Sequence, residues 1–291
     1  AGSLTKDGSG SVSLNGANTY SGGTNINAGT AIISKDNSFG TGQATFATGT
    51  ALTTAAGVTV SNVINLAGDA TLHSSTHDSS LNGVISGAGS LTKDGSGSVS
   101  LNGANEFLGG ITVSEGRVVA TKDKSLGEGQ AILKTGTALE TASSVVLKNS
   151  IQLAGDSTID TRANNSSIYG IINGIGSLTK AGIGSLTLSG VNTYTGKTLI
   201  NAGKVIINND QSLGQNNQAQ FAEGTSLETT VSIRLATPLT LVGNTTLRTL
   251  NNSQLDLAGS LSGAGRLNKE GDGSLIISGS NSNINGISVI A

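Results

Sequence analysis

Ala1–Asn18 reads AGSLTKDGSGSVSLNGAN, and the same 18 letters return at Ala88–Asn105. Gly176–Thr198 (GSLTKAGIGSLTLSGVNTYTGKT) and Gly265–Ile287 (GRLNKEGDGSLIISGSNSNINGI) are diverged copies. The starts at Gly2, Gly89, Gly176 and Gly265 stand 87, 87 and 89 residues apart, which divides the chain into copies 2–88, 89–175, 176–264 and a partial 265–291. A fixed period of this kind announces an array of stacked units rather than a globule built around one pocket.

Aligning the copies with one another separates inward from outward positions. Leu4, Leu91, Leu178 and Leu267 match, as do Val12, Val99, Leu186 and Leu275, then Leu14, Leu101, Leu188 and Ile277. Phe46, Leu133 and Phe221 recur, followed by Ile64, Ile151 and Leu239, and Leu66, Leu153 and Leu241. Val12/Leu14 and Ile64/Leu66 are two apart, the period of a strand with one buried face. Ser, Thr, Asn and Lys lie between them and are expected outside. Glycine interrupts the pattern too often for helices.

Short strands separated by Gly/Asn/Asp turns predict an all-β fold, a solenoid of parallel strands. Coils of roughly 20 residues give about four per copy and 13 to 14 in the chain. At ~4.8 Å per coil the rod is ~65 Å long and each copy ~19 Å. The third copy gains one residue around Gln215–Asn217 and another around Thr249–Ser253, as loops tolerate. An antiparallel sandwich repeated three times is the other architecture the period permits. It fits less well, because aromatic residues are only 2% of the chain, too few for large aromatic cores.

Composition narrows the function classes. A net charge of −2 leaves no basic footprint for nucleic acid. Without cysteine there are no disulfides and no thiolate metal site. No apolar run approaches 18 residues, so no helix of this segment is expected to enter a membrane. The chain starts inside a repeat with neither Met nor a signal segment, and reads as a fragment of something longer.

The pattern G-S-L-T-K-x-G-x-G-S-L-T-L-S-G-x-N-T-Y-x-G-x-T-x-I-N-A-G, clearest at Gly176–Gly203 and present at Gly2–Gly29, resembles the passenger-associated repeat of bacterial type V autotransporters. The trailing D-x-S-[FL]-G at Asp36–Gly40, Asp123–Gly127 and Asp210–Gly214 is similar to that family's continuation. The resemblance implies that residues 1–291 are a passenger fragment: a right-handed parallel β-helix, exported through the outer membrane by a barrel lying outside this segment. It also implies an extracellular location, at the cell surface or after release. Passengers of this kind serve as adhesins, aggregation factors, toxin carriers or stems.

Candidate chemistry is sparse. His73 and His77 lie in LHSSTHDSS (72–80) with Asp78 beside them, but the counterparts of the histidines are Asp160 and Asn164, then Arg248 and Asn252. Two histidines four apart converge on a helix and not on an extended segment. Asp36, Asp123 and Asp210, if each holds the same coil of its copy, are ~19 Å apart, too far for a glycosidic pair needing roughly 5–9.5 Å. A turn aspartate accepting a backbone N–H, followed by a positive-φ glycine, explains them better. Asp7 and Asp94 read as solvated charges. Tyr20, Phe107 and Tyr194 share one position, spoiled at Asn283–Ile284, and are either a partly buried corner or an exposed ladder.

No enzyme, cofactor or metal is expected. The expectation is a virulence-associated adhesive or self-associating surface, whose partner is a host cell-surface protein or glycan, or another copy of itself. The alternatives are a released ligand for a host receptor and a stalk presenting a distal domain. The segments that diverge most between copies supply possible partner-binding residues: His73, His77, Asp78, Arg162, Asn164, Arg248 and Asn252.

Overall fold

The computed structural model describes residues 1–291 except Asn216, Asn283 and Ala291, and of Ser282 the backbone alone. Asn216, within the gain at Gln215–Asn217, and Asn283, within the break at Asn283–Ile284, therefore lie outside the described residues. The chain is all β, with no helix among the described residues, and its strand pairs are parallel. It winds as a β-solenoid of about 14 turns. Two compact units follow one another along the sequence, Ala1–Glu140 and Thr141–Ala291.

In the first unit, three rows of short strands stack coil on coil. The first row holds Leu4–Lys6, Thr24–Ile26, Ala44–Phe46, Ile64–Leu66 and Ile85–Ser86. The second runs from Ser11–Leu14 through Thr30–Ile33, Thr50–Thr54, Ala70–His73, Leu91–Asp94 and Ile111–Val113 to Ala131–Leu133. The third holds Thr59–Val60, Ser79–Leu81, Ser98–Leu101 and Arg117–Ala120. Alternation along each strand turns Ile26, Phe46, Leu66, Leu72, Leu81 and Val99 inward, where they are buried.

The second unit repeats the plan. One row contains Ser157–Asp160, Leu178–Ala181, Thr198–Ile200, Ala219–Phe221, Leu239–Leu241 and Leu261–Ser262. The next contains Ser166–Ile168, Ser185–Leu188, Lys204–Ile207, Thr225–Thr229, Thr245–Thr249 and Leu267–Glu270. On the third side Ile233–Leu235, Gln254–Leu257 and Ser274–Ile277 pair in order. Leu178, Leu186, Ile200, Phe221, Leu241 and Leu247 fill the centre.

Register partners lie 19 to 22 residues apart, as Val12 beside Ala31 and Ile206 beside Glu228 do. Copies of 87 residues therefore exceed four coils of about 20 by roughly one face. The consequence appears within each unit. Leu4 pairs with Thr24 in the first row, whereas its identical copy Leu91 sits in the second row between Ala70 and Ile111. Leu178 likewise stands between Ser157 and Thr198, but Leu267 stands in the next row between Thr245 and Ile287. Equivalent residues are thus turned to a different side in each copy. Each copy therefore runs a little past the four coils expected, and recurring residues within a unit do not stack on one side.

The lysines of S-L-T-K correct a second expectation. Two residues beyond an inward leucine, Lys93 and Lys180 point inward as well and are fully buried. Lys93 Nζ donates to the carbonyls of Asp94 (3.1 Å), Gly95 (2.5 Å) and Glu115 (3.2 Å). Lys180 Nζ does the same for Ala181, Gly182 and Ala202 at 2.8, 2.7 and 3.2 Å. The long stem crosses the apolar interior and the ammonium closes the turn's carbonyls. Burial pulls both amines down from the ordinary lysine value to about 8.

Where the strands lapse, side chains take over the backbone's role. Asn192 is fully buried; its Oδ1 accepts Ile172 N–H at 2.8 Å and its Nδ2 donates to Ser212 O at 2.6 Å. Ser212 Oγ in turn donates to Leu188 O at 2.8 Å. Tyr194 is a buried corner residue, its hydroxyl 2.6 Å from Thr198 Oγ1, and Phe107 is buried too. In D-x-S-[FL]-G the glycine has positive φ, 67° at Gly40 and 90° at Gly214. The aspartate accepts a backbone N–H from the following coil and not from its own turn: Asp36 from Thr59 and Asp210 from Arg234, both at 2.9 Å.

Candidate functional site

Outward positions of the rows carry whatever chemistry the surface has. In the first unit His73 ends the strand Ala70–His73 and faces Asp94, its register partner one coil on, with Nδ1 3.1 Å from Oδ2. That hydrogen bond holds the Asp94 carboxyl below the usual range, so Asp94 is not the free solvated charge expected of it. His77 and Asp78 are exposed in the following turn, and Asp78 Oδ1 accepts Ser98 N–H at 3.2 Å. His73 and Asp78 are therefore engaged with different residues of the next coil. No group of three or more metal-binding side chains occurs among the described residues.

In the second unit Arg162 adopts φ 49°, and its N–H donates to Asp160 Oδ1 at 2.8 Å, an Asx turn. Asn164 Nδ2 donates to Thr141 O at 3.1 Å. Asn252 is exposed with φ 54° beside Asn251 at 55°, left-handed geometry that asparagine tolerates. Arg162–Ser166 follows the strand Ser157–Asp160, while Arg248–Asn252 begins inside the strand Thr245–Thr249 of the adjacent row and runs into the turn after it. The two loops occupy different corners because of the one-face advance, and they form no common site.

Arg248 belongs to a constellation that sequence reasoning missed. Glu228, in Thr225–Thr229, takes Lys204 Nζ at 2.7 Å and Arg248 Nη1 at 3.1 Å on one oxygen, Oε2. Arg248 Nε also lies 3.3 Å from Glu270 Oε2. The four residues run as a row of alternating sign across successive coils, with Glu228 and Arg248 as direct register partners. Only 9% of the Glu228 side chain is exposed. The first unit has a counterpart in the ion pair of Arg117 and Glu140. Its signal was the match of Arg117 with Lys204 and of Glu140 with Glu228 between copies, legible once the 22-residue register was known.

Asp69 and Asp156 cap the next coil. Asp69 Oδ1 accepts Ser90 N–H at 2.9 Å and Asp156 Oδ1 accepts Ser177 N–H at 2.7 Å, which keeps both carboxyls below the usual range. The recurring carboxylates thus serve backbone N–H groups or pair with cations. The outward surface between them is rich in Ser, Thr and Asn, suited to many weak hydrogen bonds, with exposed apolar residues such as Leu108, Ile175 and Ile183 among them.

The family described as Passenger-associated-transport-repeat matches residues 4–30, 91–120 and 178–207. These ranges begin at the L-T-K strands and run through the asparagine corner and the strands that follow. The chain is also 30% identical over 242 residues, 68% of its length, to the "Adhesin BmaC autotransporter" of Brucella suis biovar 1 (strain 1330). It spans 7% of that relative's length. No solved structure matches.

Proposed function

The chain is autotransporter passenger sequence built on passenger-associated transport repeats, and from that premise we propose that it is a non-enzymatic adhesive segment, held at the bacterial surface or released from it. The observation that carries this reading is the turn of equivalent side chains by one face per copy within each unit. Polar outward positions are thereby offered in several directions, and weak contacts multiply through avidity rather than through one tight pocket. The charged rows are internally paired, which favours hydrogen bonding over gross charge attraction. A relative named as an adhesin adds support. The test is saturable binding of the labelled segment to cultured host cells, competed by excess unlabelled segment. A stalk that only presents a distal domain gives no saturable binding, and that result rejects the proposal.

A further inference from the structure

In the first unit a serine sits where the inward pattern calls for an aliphatic residue. Ser79 is 4% exposed and belongs to a column whose other members are Val58, Val99 and Val118. Across the turn 75–78 stands Ser74, fully buried, and Thr54, 3% exposed, lies beside it one coil earlier. Thr54 Oγ1, Ser74 Oγ and Ser79 Oγ have no hydrogen-bond partner among the described residues. Lys93, in the following coil, already gives its three protons to carbonyls. A buried hydroxyl in this position forfeits the hydrogen bonds that it makes in the unfolded chain.

The second copy shows that these positions converge. Thr141, Thr161 and Ser166 are the equivalents of Thr54, Ser74 and Ser79, 87 residues on. Ser166 Oγ donates to Thr141 Oγ1 at 2.9 Å and Thr161 Oγ1 donates to Ala181 O at 3.3 Å, so all three hydroxyls are bonded. The two sets differ by a single methyl group, which Thr161 carries and Ser74 lacks. That methyl is close in size to a water molecule, whose share of liquid volume is ~30 Å³. In the third copy the serine is gone: Leu255 pairs with Leu275 as Ser166 pairs with Leu186, and an apolar side chain fills the place.

We propose that the corner formed by Thr54, Ser74 and Ser79 is a binding site for one internal water molecule. Three hydroxyls supply the roughly three hydrogen bonds that a buried water makes, and each can turn to donate or accept. The water stands where the second copy has the Thr161 methyl. It ties the turn 75–78, which carries the exposed His77 and Asp78, to the coil before it. The inference is independent of the adhesive reading.

The test is 17O relaxation dispersion of water in solutions of the segment, which counts the waters that tumble with the protein. Ser74→Thr supplies the methyl of the second copy and is expected to hold one such water fewer than the parent. Ser79→Val continues the valine column, removes one hydroxyl and is expected to show the same loss. Far-UV circular dichroism establishes that each variant keeps the parent's fold before the counts are compared. A crystal structure of the parent gives a reading that needs no variant: a density peak is expected within hydrogen-bond distance of all three hydroxyls. Equal water counts in the parent and a folded variant overturn the proposal. So does a crystal structure with no such peak, or one in which Ser79 bonds Thr54 directly as Ser166 bonds Thr141.

Discussion

Replacing Asn192 by alanine removes two hydrogen bonds from the interior of the second unit at once. Ile172 N–H loses the Oδ1 acceptor at 2.8 Å, and Ser212 O loses the Nδ2 donor at 2.6 Å. Asn192 is fully buried, and the chain around it is not in a strand that could take over the pairing. Each orphaned buried backbone group costs about 1–3 kcal/mol, so the pair predicts a loss of ~2–6 kcal/mol, partly recovered if water enters the space. Stacked coils need not unfold in one step, so the sharper assay is local. Amide exchange at Ile172 is expected to accelerate by about a hundredfold, the equivalent of ~2.7 kcal/mol, while amides of the first unit keep their protection. Asn192→Asp retains the acceptor but buries a carboxylate against Ser212 O, and is expected to be at least as damaging. Ile172 exchanging within about tenfold of the parent in Asn192→Ala would refute the stapling role.

The remaining predictions concern glycine, charge and pH. At Gly196 an added Cβ lies 2.3 Å from Gly176 C, backbone that cannot yield, so Gly196→Ala is expected to cost more than ~3 kcal/mol in urea unfolding. Gly224 meets nothing within 4 Å and has φ 73°, so Gly224→Ala is expected to cost only about 1 kcal/mol; equal effects contradict the close stacking. Glu228→Gln leaves Lys204 and Arg248 without their shared anion and is expected to lose ~1–2 kcal/mol, a difference that survives high salt because the carboxylate is mostly covered. Lys93 and Lys180 have folded values of about 8 against 10.5 unfolded, so between those pH values the unfolded chain binds more protons and stability rises with pH. The urea midpoint is expected to be higher at pH 9.5 than at pH 7.5, with the rise reduced in the Lys93→Met/Lys180→Met variant; an unchanged or falling midpoint in the parent refutes the linkage. Above pH 10 buried Tyr194, whose phenol is pushed up by burial, acts in the opposite sense, because only the unfolded chain ionises it.

Much of the interior was legible because the copies align. Leu178, Leu186, Leu188 and Ile200 were assigned inward by comparison and period two alone, and all four are buried. Leu4, Val12 and Leu14 share that pattern but are half-buried in the outermost coil of the first unit. Lys93 shows where residue type misled: its phase matched Leu91, yet its charge suggested the surface, and the three carbonyls it reaches come together only after coiling. The one-face advance was hidden because it depends on coil length to within a residue, and turns of variable length blur that figure. Phe107 and Tyr194 were legible as corner residues. The Lys204–Glu228–Arg248–Glu270 row was not, since its members are 20 to 24 residues apart and meet only through register.

Disulfide trapping tests the winding most directly. In the first unit Thr92 is the register partner of Thr71, 21 residues earlier, with both side chains turned outward. A coil one residue longer places Thr92 beside Ala70 instead, and a slip of one residue turns the side chain to the opposite face. Thr71→Cys/Thr92→Cys is therefore expected to oxidise readily to an intramolecular bridge, found by peptide mapping, while Ala70→Cys/Thr92→Cys does not. Bridging of the second pair in place of the first would show that identical copies do not advance by a face, and would contradict the geometry on which the adhesive reading stands.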